Sequence, residues 1–214
     1  MSRILFSLFC LHLLFACSKP QKKEPSPLPY LGQKTVKDTI IDGKDTTVNI
    51  PYTIPPFAFE NITGDSVTNT DLTGKVYVAN FFFTTCRTVC PTMQGRLYDL
   101  SQEFSNTELR YISHTLDPEN DTKSVLKEYA KGLGADTSKW FFLRAEEDYT
   151  YHVANEMYLA AARIDENNVD GISHTGKLIL VDKNQHIRGF YDNNDPDDLK
   201  VLYRDISKLL NEEK

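Results

Sequence analysis

The sequence predicts an α/β domain in which a central mixed sheet is flanked by helices, with an added N-terminal β-hairpin. Three observations carry this reading. Apolar segments of strand period and helix period alternate from Phe57 to Leu209. One of them, Val76 to Phe83 (VYVANFFF), is an unbroken run of β-branched and aromatic residues, the composition of a strand covered on both faces. That run ends in a turn bearing Cys86 and Cys90, and Pro91 follows, suited to the first turn of a helix where its missing N–H costs nothing.

The chain opens with residues 1–16, which read as a signal peptide. Arg3 gives a basic start, and Ile4 to Ala16 is apolar but too short for an ordinary transmembrane helix. The segment ends Leu14-Phe15-Ala16-Cys17, which resembles a bacterial lipobox, in which the signal is cut before a cysteine that is then lipidated. The alternative is an ordinary signal peptide or a buried Cys17. Residues 17–34 read as a lipid-anchored flexible tether, since Ser18 to Pro29 is polar and proline-rich. Residues 35–214 form one folded domain on this reading, outside the cytoplasm and most simply in the periplasm. Cys10 then leaves with the signal and Cys17 is acylated. Cys86 and Cys90 remain as thiols in a compartment that permits their oxidation to a disulfide.

Net charge is −6, and the chain has no basic cluster beyond the tether, which argues against nucleic acid as a partner. The domain begins with alternating residues over 35–41 and 45–50 around Asp42-Gly43, a hairpin signal. A short strand over 57–61 and two turns lead into the Val76 run. Met93, Leu97, Leu100 and Phe104 then lie at helical spacing. A strand over 109–113 follows, then the turn-rich loop Leu116-Asp117-Pro118-Glu119-Asn120-Asp121-Thr122. Asp121 or Thr122 is placed to cap the helix that runs to about Leu133, and Asp117 to fix the loop. A strand over 140–143, a helix over 147–156 and a strand over 159–164 come next. Strands over 177–182 and 187–191 then flank Lys183-Asn184, and a helix begins at Asp195-Pro196.

This order, with cysteines directly after the first core strand, is thioredoxin-like. In such folds reactive groups gather at the carboxyl ends of the strands. The loop before the terminal hairpin, Asp170 to Gly176, should lie against the cysteine turn. Thioredoxins usually hold a cis-proline there, and this chain has His174. Two sulfurs and an imidazole would then converge. Soft thiolates suit Cu(I), and two sulfurs with one nitrogen also hold Cu(II).

The three segments Phe82-Phe83-Thr84-Thr85-Cys86-Arg87-Thr88-Val89-Cys90-Pro91, Leu116 to Thr122 and Ser173-His174-Thr175 together resemble the SCO/SenC family of copper-binding proteins. The resemblance covers roughly Pro56 to Leu210. It implies copper ligands at Cys86, Cys90 and His174, one copper per chain as Cu(I) or Cu(II), and a membrane-anchored exported protein. It implies a non-enzymatic metallochaperone that delivers copper to, or maintains the redox state of, the dinuclear copper site of cytochrome c oxidase. The partners would be the copper-bearing subunit or its assembly factors. One departure stands out: many family members have Asp directly before the histidine, where this chain has Ser173, with Asp170 nearby.

A thiol-disulfide oxidoreductase using Cys86 and Cys90 on partner cysteines, without obligatory metal, remains open. A peroxidase of the peroxiredoxin type fits poorly. Its P-x-x-x-T-x-x-C pattern would need Thr at Arg87 and Pro at Phe83. His114, at a strand end, reads as structural. His152 and His186 read as solvent-facing, and Met93 and Met157 as core.

Overall fold

The computed structural model of the protein describes residues 27–165 and 167–212, so Cys10, Cys17 and the expected signal peptide lie outside the described residues. The first elements are β1 (Thr35–Ile41) and β2 (Lys44–Ile50), an antiparallel hairpin in continuous register from Thr35↔Ile50 to Ile41↔Lys44. Asp42 and Gly43 carry it round at φ of 51° and 75°, as a two-residue hairpin turn of this chemistry requires. The hairpin is a separate two-stranded sheet, largely exposed, as the sequence predicts.

The body follows: β3 (Ala58–Asn61), β4 (Ser66–Thr68), α1 (Asn69–Leu72), β5 (Tyr77–Phe82), α2 (Cys90–Glu103), β6 (Arg110–Thr115), α3 (Lys123–Leu133), β7 (Trp140–Arg144) and α4 (Glu147–His152). α4 runs into a π-helical turn over Val153–Met157. Then come β8 (Ala162–Ile164), β9 (Ile172–His174), β10 (Lys177–Val181), β11 (Ile187–Asp192) and α5 (Pro196–Asn211). Seven strands form one sheet in the order β11-β10-β5-β6-β7-β3-β4. β5, β6 and β7 are parallel, and β10 and β3 run against them on either side.

Every residue of β5 is buried, which is why its sequence does not alternate. Its successive rings point to opposite faces. Phe82 meets Tyr129 of α3 and Phe142, while Phe81 stacks on His114 and meets Tyr158. Tyr111 lies beside Trp140 on the first face and donates its hydroxyl to Leu100 O of α2. Helices therefore cover both faces, and the fold is thioredoxin-like. Because β5 and β6 are parallel with Phe82 opposite Thr115, the loops that follow them leave the sheet side by side. Those are the cysteine turn and the Asp117–Thr122 loop.

Three local expectations are revised. The strand expected over 159–164 is shortened to β8 and leaves the main sheet to pair with β9, with Ala162 opposite His174. Leu159 takes φ of 56°, and the Asn155 side chain holds both the N–H and the C=O of Ala162. Those two features turn the chain away from the sheet edge. Second, Leu28 to Leu31, inside the span read as tether, pack on the domain. Leu28 is buried, Arg188 donates to Leu28 O and Pro29 O, and Leu31 N–H donates to Ile187 O. Third, His186 is half-buried rather than solvent-facing, with Nδ1 2.8 Å from Tyr52 O. His152 is exposed, and Met93 and Met157 are core, as read. Among the described residues no helix is long and apolar enough to cross a membrane.

Candidate metal centre

The cysteine turn begins where β5 ends. Cys86 N–H closes back on Phe83 O, and α2 starts at Cys90 with Pro91 in its first turn. No side chain at Val89 caps that helix. The Cys90 amide, otherwise an orphan donor of the first turn, points at Cys86 Sγ at 3.4 Å. A sulfur thus takes the place of a cap, and it gains most from doing so as a thiolate.

His174 arrives from the other side of the sequence. It ends β9, and its Nε2 lies 3.3 Å from Cys90 Sγ. Its Nδ1 lies 3.2 Å from Thr175 O, so Nδ1–H can donate to a backbone carbonyl and leave the Nε2 lone pair facing the sulfurs. The carbonyl does here what an acidic neighbour would do, and the presence of Ser173 does not unseat the ring. The Phe83 ring packs against it in a T-shaped contact, centroids 5.8 Å apart. Two residues on, Gly176 brings this segment against the cysteine turn. A Cβ at Gly176 would lie 2.6 Å from Val89 Cγ2 and would also meet the Asn193 amide, which donates to Gly176 O.

The ligand atoms of Cys86, Cys90 and His174 all lie within 4.8 Å of one another, and no other such group occurs among the described residues. Both cysteines are buried and free, and His174 is half-buried. The two thiols divide their proton unequally. The Cys90 thiol hydrogen-bonded to Cys86 holds the Cys86 pKa down to about 3, with His174 and the Cys90 amide assisting against burial. The Cys86 thiolate, with burial, pushes Cys90 up. One sulfur is therefore ready as a nucleophile or ligand, and the second loses its proton when a cation arrives between them.

Two acidic residues hold the loops that form the site. The sequence offered Asp121 as a helix cap or loop residue, yet Thr122 caps α3, accepting from Val125 N–H. Asp121 is instead fully buried. It accepts from the amide and hydroxyl of Thr84 and, at 2.5 Å, from Thr115 Oγ1, which ties the end of β5 to the end of β6. Burial raises its pKa, opposed by those hydrogen bonds. Asp117 fixes its loop as expected, accepting from Asn120. Asp170 touches the cysteine turn and not the imidazole. Its proximity to His174 in sequence hinted at a role in the site but gave no hint of that partner. His114 does not join the group. It is buried among Phe57, Phe59, Phe81 and Tyr158, and neither ring nitrogen has a hydrogen-bond partner among the described residues.

The family model described as SCO1/SenC matches residues 45–211. This chain belongs to the SCO1/SenC family. Within it, the chain is 38% identical over 94 residues to the SCO1 protein homolog of Bacillus subtilis (strain 168). That match spans 43% of this chain and about half, 49%, of the length of that relative. Three solved structures superpose over most of the domain. The SCO1/SenC family lipoprotein from Bacillus anthracis is 27% identical with a TM-score of 0.66, covering 74% of this chain and 95% of that one. BsSco, described as having a disulfide switch and as a member of the Sco family of cytochrome c oxidase assembly proteins, gives 28% and 0.67, covering 76% and 95%. ScoI of Bradyrhizobium japonicum, solved with copper bound, gives 22% and 0.59, covering 72% and 99%, and attests the shared fold alone.

Proposed function

We propose that this SCO1/SenC protein binds one copper ion through Cys86, Cys90 and His174 and serves cytochrome c oxidase assembly by delivering that copper. The observation that carries the reading is the convergence of two sulfurs and one imidazole nitrogen within 4.8 Å. Two thiolates and a neutral imidazole form a soft, three-point set that suits Cu(I) and tolerates Cu(II). Copper is the cargo of this site. The protein supplies a thiolate at Cys86, a second thiol at Cys90 that deprotonates on binding, and an Nε2 lone pair fixed by the Nδ1 contact. The dinuclear copper site of the oxidase is the proposed acceptor. Domain 35–214 would carry the site, anchored to the membrane by lipidated Cys17 after removal of residues 1–16. The lipobox-like sequence supports that anchor, and the lipoprotein relative accords with it.

A second reading is favoured by the unequal thiols. A low-pKa Cys86 beside a protonated Cys90 is also the arrangement of an exchange dithiol, with Cys86 attacking a partner disulfide and Cys90 resolving it. Oxidation of the pair would remove two electrons and the thiol protons and abolish both sulfur ligands, so copper loading should require the reduced pair. The test is anaerobic copper titration of the reduced protein beside an insulin disulfide-reductase assay. One tightly held copper with negligible reductase activity supports the first reading. Reductase activity without copper retention replaces it with the second.

A further inference from the structure

Asp170 stands in the connection between β8 and β9, four residues before His174 in sequence, yet its carboxylate is spent on the cysteine turn. Oδ2 accepts from Thr88 Oγ1 at 2.8 Å and from the Arg87 amide at 3.4 Å, and it lies 3.8 Å from Cys86 Sγ. The connection is shaped to present it. Asp170 N–H donates to Asn168 Oδ1, Gly171 N–H donates to Asn168 O, and Gly171 takes φ of 76°. One carboxylate thus latches the histidine-bearing hairpin onto the loop that carries both sulfurs.

Its charge matters as much as its hydrogen bonds. Two thiolates and a neutral imidazole neutralise Cu(II) and leave one net negative charge around Cu(I). A fixed carboxylate next to Cys86, in a partly buried site where screening is weak, disfavours the more negative of those two states. We propose that Asp170 is a positioning residue that latches the cysteine turn to the His174 hairpin and, through its charge beside Cys86, weights the site towards Cu(II) over Cu(I). This rests on the copper reading above.

The experiment is a spectroelectrochemical titration of the copper-loaded full chain, with Cu(I) and Cu(II) stoichiometry measured in parallel. Asp170→Asn keeps an oxygen acceptor for Thr88 and removes the charge. The ratio of Cu(II) to Cu(I) affinity should fall at least tenfold, a rise of about 59 mV in the one-electron potential for each factor of ten. Asp170→Glu, which restores the charge, should recover most of the ratio. Thr88→Val, which releases the carboxylate from its shortest contact, should shift it in the same direction by less. A latch without an electrostatic role would weaken both copper states alike and leave the ratio fixed. An unchanged or oppositely shifted ratio in Asp170→Asn, with copper still bound, overturns this inference and leaves the copper reading standing. Wild-type protein that holds neither copper ion overturns both.

Discussion

Two histidines lie at the same end of the sheet and are treated in opposite ways. His174 ends a short strand at the rim, with one nitrogen 3.3 Å from a sulfur and the other 3.2 Å from a carbonyl. His114 lies near the end of β6, opposite Phe81, wholly buried, with four aromatic rings around it and neither nitrogen paired among the described residues. Position at a strand end is common to both, so position alone does not bring a ring nitrogen to the sulfurs. The difference lies in what the ring nitrogens face. The rim is built from polar anchors that aim lone pairs at a point, while the box behind it is built from ring packing that ignores them.

Removing each histidine and each sulfur in turn separates the rim from the box. Cys86→Ala, Cys90→Ala and His174→Ala should each lower copper affinity by about 1,000-fold, roughly 4 kcal/mol. His114→Ala should leave affinity within a few-fold of wild type, although it costs stability. Competition titration against a chelator of known affinity reads both. Copper binding lost with His114 and kept without His174 would reverse the assignment of the two residues.

Next in size is the anchor that holds the rim to the sheet. Asp121 accepts from Thr84 and Thr115 without exposure to water. Asp121→Ala strands three donors, the part-buried Thr84 amide and hydroxyl and the buried Thr115 hydroxyl, at about 1–3 kcal/mol for each buried group left unpaired and less for the part-buried ones. We expect a loss of about 3 kcal/mol in denaturant unfolding, and a smaller loss for Asp121→Asn, which keeps acceptor oxygen. Copper affinity should drop further in Asp121→Ala than stability alone explains, because Thr84 is two residues from Cys86. Unchanged unfolding midpoints would mean that the turn is held by packing, as the His114 box is.

The same contrast governs what could be read from the chain. The β5 run, the α2 start at the cysteine turn and the β1–β2 hairpin are local patterns, and each is visible in composition and spacing. The convergence of Cys86, Cys90 and His174 was legible because two of the three share one turn and the third precedes a strand pair whose place in such folds is known. What the sequence could not disclose were pairings between distant segments. Asp121 resembles a helix cap in sequence, because Thr122 and α3 follow it, and only the parallel register of β5 and β6 brings it to Thr84. Asp170 stands near His174 in sequence, yet the short β8–β9 hairpin turns it towards Thr88. The packing of Leu28 to Leu31 depends on Arg188, whose guanidinium pairs with Asp182 at 2.7 Å and lies over the Tyr30 ring. A proline-rich stretch gives no local sign of such a partner.

The smallest expected effect concerns His114, whose ring nitrogens have no hydrogen-bond partner among the described residues. Burial lowers the His114 pKa from 6.5 to about 3, with no hydrogen bond or ion pair offsetting it. The native state therefore keeps it neutral where the unfolded chain takes up a proton. Its folded pKa is depressed, so native stability is undiminished above pH 6.5 and falls as pH drops from there towards about 3. The slope from this one group is at most about 1.4 kcal/mol per pH unit. His114→Phe keeps a ring of similar size against Phe57, Phe59, Phe81 and Tyr158 and removes two unpaired polar atoms. It should stabilise the protein at pH 7 by about 1 kcal/mol, since replacing an unsatisfied buried polar group with an apolar one of like shape is neutral or favourable. It should also flatten the loss of stability between pH 6.5 and 4 while leaving copper affinity unchanged. Urea unfolding at several pH values, wild type beside variant, measures both. A variant that unfolds more easily at pH 7, with the acid slope intact, would mean that the His114 nitrogens have partners after all, a buried water being the simplest. The box would then be a second polar site and not the apolar counterpart of the rim.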